Sequence, residues 1–166
     1  MNGGELSVTT PGEREIVLTR SFDAPRHLVF RALTTPELLK RWLGARGWNL
    51  VGCEIDLRVG GRWRFVHRGP DGSEMAHGGV YQEVIEPSRL IYTEMFDNQS
   101  YEGESLITQL LVEERGMTTL TSSVLYASQE ARDTVLQYPM ARGVSQSYER
   151  LDTVLADLRN RQGDTT

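Results

Sequence analysis

The chain has 166 residues, 39% hydrophobic and 25% charged, with one cysteine and a formal net charge of −5 at pH 7. That length and balance fit a single globular core. The acidic balance supplies no clustered cationic face for nucleic acid, and no apolar run reaches the roughly 18 residues that a membrane span needs.

Met1 to Glu13 is rich in Gly, Ser, Thr and Pro and reads as a disordered leader over residues 1–13. It lacks the basic start and apolar stretch of a secretory signal, so a cytoplasmic location is expected. Cys53 is alone, which agrees with a reducing compartment, and it reads as a small hydrophobe in a strand. Glu15 to Phe22 alternates as an edge-like first strand. Asp23-Ala24-Pro25 ends it, with Asp23 placed to cap a short helix, His27 to Leu33. Thr34-Thr35-Pro36 repeats the start signal for a second short helix, Glu37 to Leu43.

From Asn49 to Tyr126 turn signals recur about every ten residues, the mark of an antiparallel meander. Its six strands are Asn49 to Arg58, Arg62 to Arg68, Ser73 to Ile85, Arg89 to Phe96, Glu104 to Glu113 and Met117 to Tyr126. Pro70-Asp71-Gly72 is a three-residue turn that fixes one register: Arg68 faces Glu74, His67 faces Met75, Phe65 faces His77 and Trp63 faces Gly79. One face then collects Trp63, Phe65, His67, Met75, His77 and Tyr81. The other carries Arg62, Arg64, Arg68 and Glu74; with Arg58 these arginines read as a solvated face. A two-residue loop at Pro87-Ser88 sets Tyr81 opposite Glu94 and turns Tyr92, Glu94 and Phe96 inward, although one extra loop residue would invert that strand. A bulged turn at Arg115-Gly116 groups Leu106, Thr108, Leu110 and Val112 inside with Thr118, Leu120, Ser122 and Val124.

Ser128 caps a helix from Gln129 to Gln137 or Tyr138, where Pro139 breaks it. From Met140 the stripe Met140, Val144, Tyr148, Leu151, Leu155 and Leu158 recurs at steps of three or four along a long helix whose only large apolar partner is the concave sheet. Residues 14–160 thus form one domain, and 161–166 a disordered tail.

This order resembles the START-like, or birch-pollen-allergen-like, superfamily (SRPBCC), and within it the family related to the C-terminal domain of the activator of heat-shock protein 90 ATPase. The resemblance is carried by Phe22-Asp23-Ala24-Pro25, Pro36-Glu37 with Trp42, Gly60-Gly61-Arg62-Trp63, Pro70-Asp71-Gly72 leading to Gly79-Val80-Tyr81, and Ser147 to Leu151. It implies an α+β helix-grip fold, a curved antiparallel sheet in the order β-α-α-β6-α around a long C-terminal helix, with an internal cavity. The superfamily includes lipid carriers, hormone receptors, cyclases and proteins that sequester metabolites, so a shared fold does not transmit a function.

Three functions follow as expectations. The first is a protein that binds a small hydrophobic ligand, an apolar or aromatic metabolite or lipid, between sheet and helix. Its site comprises Trp42, Trp63, Phe65, His67, His77, Tyr81, Tyr92, Glu94, Phe96, Met140, Val144 and Tyr148, the two histidines and Glu94 orienting a polar end. The second is a cyclase- or hydrolase-type enzyme using His77 and Glu94 for proton transfer. The third is a co-chaperone-like interaction module, although no residue singles out a chaperone partner. No cofactor is implied: there is no phosphate-cradling loop, and His67 with His77 lacks the third protein ligand of a catalytic zinc.

Overall fold

The computed structural model describes residues 4–164. Its elements are β1 (Ser7–Thr9), β2 (Glu15–Phe22), α1 (Arg26–Thr34), α2 (Pro36–Trp42), β3 (Asn49–Ile55), β4 (Arg62–Arg68), β5 (Glu74–Ile85), β6 (Arg89–Phe96), β7 (Ser105–Glu114), β8 (Met117–Leu125), α3 (Gln129–Leu136) and α4 (Met140–Asp164). The eight strands form one antiparallel sheet ordered β1-β2-β8-β7-β6-β5-β4-β3. It is open and curved, and the long α4 packs on its concave face, giving an α+β helix-grip fold. Phe22, Tyr148, Leu151, Val154, Leu155 and Leu158 are buried together along that contact.

Both termini depart from expectation. The leader read as disordered contains a strand, β1, which pairs Val8 with Leu18. The alternation around Val8 is short, but it lies beside a strand with free backbone groups, and pairing satisfies them. The tail expected from residue 161 is helical through Asp164, and its last residues lie outside the described ones.

Local signals are read out in part. Ser128 Oγ accepts the backbone N–H of Ala131 at 3.0 Å and caps α3. Asp23 does not cap α1. It pairs with Arg159 at 3.1 Å, and the Arg26 N–H of the first turn donates instead to Glu113 Oε1 at 2.7 Å.

The Pro70-Asp71-Gly72 turn sets Arg68 against Glu74, His67 against Met75, Phe65 against His77 and Trp63 against Gly79. The next hairpin differs in two ways. Its loop holds three residues, closing Ile85 against Arg89, which alone would turn Glu94 outward. A bulge between Tyr81 and Glu83 then takes up one residue of β5, so Tyr81 faces Tyr92, not Glu94, and the inner face is restored. At Arg115-Gly116 the turn is a two-residue one, with φ of 55° and 78°, and Leu111 faces Leu120. Both residues take the left-handed conformation of a primed hairpin turn, so no bulge follows. The consequence is a correction: Ile107, Gln109 and Leu111 point inward, while Leu110 and Val112 are exposed on the outer face.

Candidate functional site

Alternation along β4 sends Trp63, Phe65 and His67 to the concave face, and their partners on β5 and β6 complete the wall. His77, opposite both Phe65 and Phe96, is fixed from every side. Its ring stacks on Phe96 (4.6 Å, 9°) and on His67 (5.1 Å, 19°). It meets Trp63 and Phe65 edge to face at 5.3 and 5.6 Å. Held among these rings, its two nitrogens have definite partners: Nδ1 lies 2.9 Å from Glu94 Oε2, and Nε2 lies 2.9 Å from His67 Nε2.

One assignment of protons to this network leaves no buried N–H without an acceptor. An ionised Glu94 accepts from His77 Nδ1–H; the bare His77 Nε2 then accepts from His67 Nε2–H, and His67 Nδ1 is left with a lone pair. Among the described residues that atom is buried with no partner. The opposite arrangement would bury an N–H there, and orphaned donors are rarer than under-used acceptors. Burial, and after it His77, holds the His67 imidazole down at about 4, so it is neutral near pH 7.

Beside this chain lies a cavity of about 140 Å³ between the sheet and the α1–α2 helices. Trp63, Phe65, His77, Tyr81, Tyr92 and Glu94 form its sheet side, and Leu33, Leu39, Trp42 and Leu43 its roof. Trp42 is held by its indole N–H on Ala32 O (2.9 Å), and Trp63 by its indole N–H on Thr93 O (3.2 Å). Burial raises the Tyr81 and Tyr92 phenols, the latter helped by the nearby Glu94 charge, so both keep their protons.

Seven of the twelve residues expected at a site line this cavity: Trp42, Trp63, Phe65, His77, Tyr81, Tyr92 and Glu94. His67 and Phe96 stand behind His77 and hold it. Three do not take part. Tyr148 is core, edge-on to Phe22 at 5.2 Å. Val144 packs against both core clusters, and Met140 against the smaller one. The pocket therefore lies under α2 and not along α4, because the buried face of α4 is already filled by side chains. Gln109 lines the cavity and was placed on the wrong face by the turn before β8. Leu33, Leu39 and Leu43, on and just after the short helices, look in sequence like any core leucine.

A second polar feature escaped the sequence. Arg20 and Asp152 form a buried bidentate pair, 2.6 and 2.7 Å, with the guanidinium 4.7 Å above the Phe22 ring. An arginine among Ile16, Leu18 and Phe22 on one strand face is the signal that a counter-charge must come from elsewhere. Cys53 is half-buried and its thiol is pushed up to about 11 chiefly by burial, with Lys40 opposing, which leaves it a poor nucleophile. Three arginines of the outer strip are paired, Arg58 with Asp56, Arg64 with Asp97 and Arg68 with Glu74. Among the described residues no group of three His, Cys, Asp or Glu could hold a metal ion, and no helix is long and apolar enough to cross a membrane.

A family model described as activator of Hsp90 ATPase homolog 1-like protein matches residues 23–156. The chain belongs to this family. Within the Hsp90-activator-homologue fold it is similar to a protein of known structure from Rhodobacter sphaeroides, with 35% identity over 93% of this chain and 99% of the other and a TM-score of 0.88. A Nitrosomonas europaea protein shares 25% identity over 91% and 99%, with a TM-score of 0.80. An Hsp90 activator from Plasmodium falciparum, 22% identical over 68% and 72%, matches with a TM-score of 0.52 and bears on the fold alone. Among curated proteins none matches the chain.

Proposed function

We propose that this member of the family is a small-molecule binding protein whose ligand is about the size of a single ring. The observation that carries the reading is the aromatic-lined cavity of about 140 Å³ with the hydrogen-bonded His77–Glu94 pair in its lining. An apolar cavity of about 150 Å³ holds a benzene-sized guest, whereas sites for drug-sized molecules run to roughly 300 Å³ and more. A sterol or a whole acyl chain does not fit within that volume, so the reading takes the small end of the metabolites and lipids expected from sequence. The stacked rings fix His77, so the polar end is organised before a ligand arrives.

A thermal-shift and tryptophan-fluorescence screen of single-ring compounds tests this. A hit should raise the melting temperature, and Leu43→Phe, which fills the rim of the cavity, should abolish the shift without unfolding the protein. Binding that survives Leu43→Phe would place the ligand elsewhere.

One observation favours a second reading, a protein-interaction module of co-chaperone type: Leu110 and Val112 are 40% and 53% exposed on the outer sheet face. Stimulation of an Hsp90-type ATPase by the chain, lost in the Leu110→Ser/Val112→Ser double variant, would support it.

A further inference from the structure

The geometry points to a small organic cation, a quaternary or tertiary alkylammonium, as the ligand class of this cavity, with Glu94 as its counter-ion and the rings of Trp63, Tyr81 and Tyr92 as its walls. The inference rests on the single-ring-sized site proposed above and adds the sign of the charge.

Three observations converge. The first is ring geometry. Tyr92 meets Trp63 at 80° (5.4 Å) and Tyr81 at 69° (5.8 Å), so neighbouring walls stand near right angles. An edge-to-face contact covers one face of one ring with its neighbour's edge and leaves the neighbour's own faces uncovered by that contact, and a π face on the cavity attracts a cation through its negative quadrupole. The second is charge. Glu94 and His77 are the titratable groups besides the two phenols that line the cavity, and none of the described lysine or arginine side chains does. A cation entering here meets Glu94 with no lysine or arginine in the lining to compete for it, whereas an anionic guest would find no such side chain to receive it. The third is the free valence. Glu94 Oε2 is taken by His77 Nδ1, while among the described residues Oε1 has no protein partner and the side chain is 18% exposed beside the cavity.

Size agrees with charge. A trimethylammonium head is close to benzene in bulk and is weakly hydrated because its charge is spread over methyl groups. It gives up less solvation on entering an aromatic box than a primary ammonium does. A desolvated cation–π contact contributes about a factor of 30 in affinity over an uncharged group of the same shape.

The test is isothermal titration of the full chain at pH 8, above the ordinary imidazole range, at constant ionic strength. The two probes are choline chloride and the neutral alcohol in which carbon replaces its quaternary nitrogen. Choline should bind at least roughly 30-fold more tightly than the neutral isostere. Glu94→Gln should weaken choline by tenfold or more and leave the isostere within about twofold. Should Glu94→Gln fail to fold, Tyr92→Leu removes one wall without touching the His77–Glu94 hydrogen bond and should weaken choline more than the isostere. Equal binding of the two probes, or binding of the neutral one alone, overturns the cation while leaving the single-ring site standing. Failure of both probes together with the whole single-ring panel overturns both.

Discussion

The Nε2 atoms of His67 and His77 face each other at 2.9 Å, so one proton lies between them and its donor constrains the groups beyond. With His67 as donor, His77 turns its other N–H to Glu94 and the carboxylate stays ionised at the edge of the cavity. With His77 as donor, either Glu94 carries the proton to His77 Nδ1 or His77 donates from both nitrogens as an imidazolium, and in both cases a neutral His67 buries an unpaired Nδ1–H. The aromatic neighbours that hold His77 therefore also hold its Nδ1 against Glu94.

The first prediction concerns acid stability. His67 is held at about 4 when folded against an ordinary value of 6.5, so between those values the unfolded chain binds more protons than the native one. Stability is full above about 6.5 and falls as pH drops towards 4, by up to roughly 3 kcal/mol from this group. Urea unfolding at pH 7, 6, 5 and 4.5 should show that slope, and His67→Gln, which keeps a donor near the Nε2 position, should flatten it. An unchanged slope in the variant would assign the acid sensitivity to other groups.

The buried pair of Arg20 and Asp152 gives a second expectation. Asp152→Ala strands a guanidinium that is 8% exposed, and should cost about 3–5 kcal/mol in denaturant titration. Replacing both with apolar residues, Arg20→Met with Asp152→Leu, should recover most of that loss, since the desolvation cost disappears with the charges. If the double variant is no better than the single one, the pair contributes more than it costs.

Two glycines should respond with opposite sign. A Cβ at Gly79 would lie 1.8 Å from the Thr93 carbonyl oxygen, a backbone atom that cannot swing aside. Gly79→Ala should therefore cost more than about 3 kcal/mol or prevent folding. In α4, a Cβ at Gly143 meets only Ala45 Cβ, at 3.5 Å, and Gly143→Ala should raise stability by about 0.5–1 kcal/mol through helix propensity. Thermal melts of the two variants decide both.

That same approach allows a covalent tie. The 3.5 Å separation falls within the Cβ–Cβ span of a disulfide, so Ala45→Cys with Gly143→Cys, in a Cys53→Ala background, should oxidise spontaneously. The bridged form should be more stable by about 2–4 kcal/mol, a gain that reductant removes. Free thiols remaining after air oxidation would show that the loop between α2 and β3 sits farther from α4.

The strand and helix pattern was legible because its punctuation is local: Pro70-Asp71-Gly72 dictates a register by itself, and Ser128 marks a helix start. What could not be read were features set by two distant segments at once. Arg115-Gly116 fits either a bulged or a primed turn, and choosing between them decides whether Leu110 or Leu111 is inside. The inward direction of Glu94 was reached through a loop one residue too short and without the bulge at Gln82, two differences that cancel. The cavity itself arises from how far α2 stands off the sheet, a distance that no spacing in Leu33, Leu39 and Trp42 records. Tyr148 shows the converse, since its helical spacing announced burial correctly but could not separate core from pocket.

The bulge at Gln82 has a consequence for length. Because Tyr81 pairs with Tyr92 on one side of it and Glu83 with Ile91 on the other, Gln82 is a surplus residue in the β5–β6 ladder. Deleting Gln82 would join those pairs into a continuous ladder and leave His77 and Glu94 on the same face. Deleting Val80, two positions earlier, would rotate His77 away from Glu94. Sequence length at this hairpin can therefore shrink by one residue at a single point without dismantling the site.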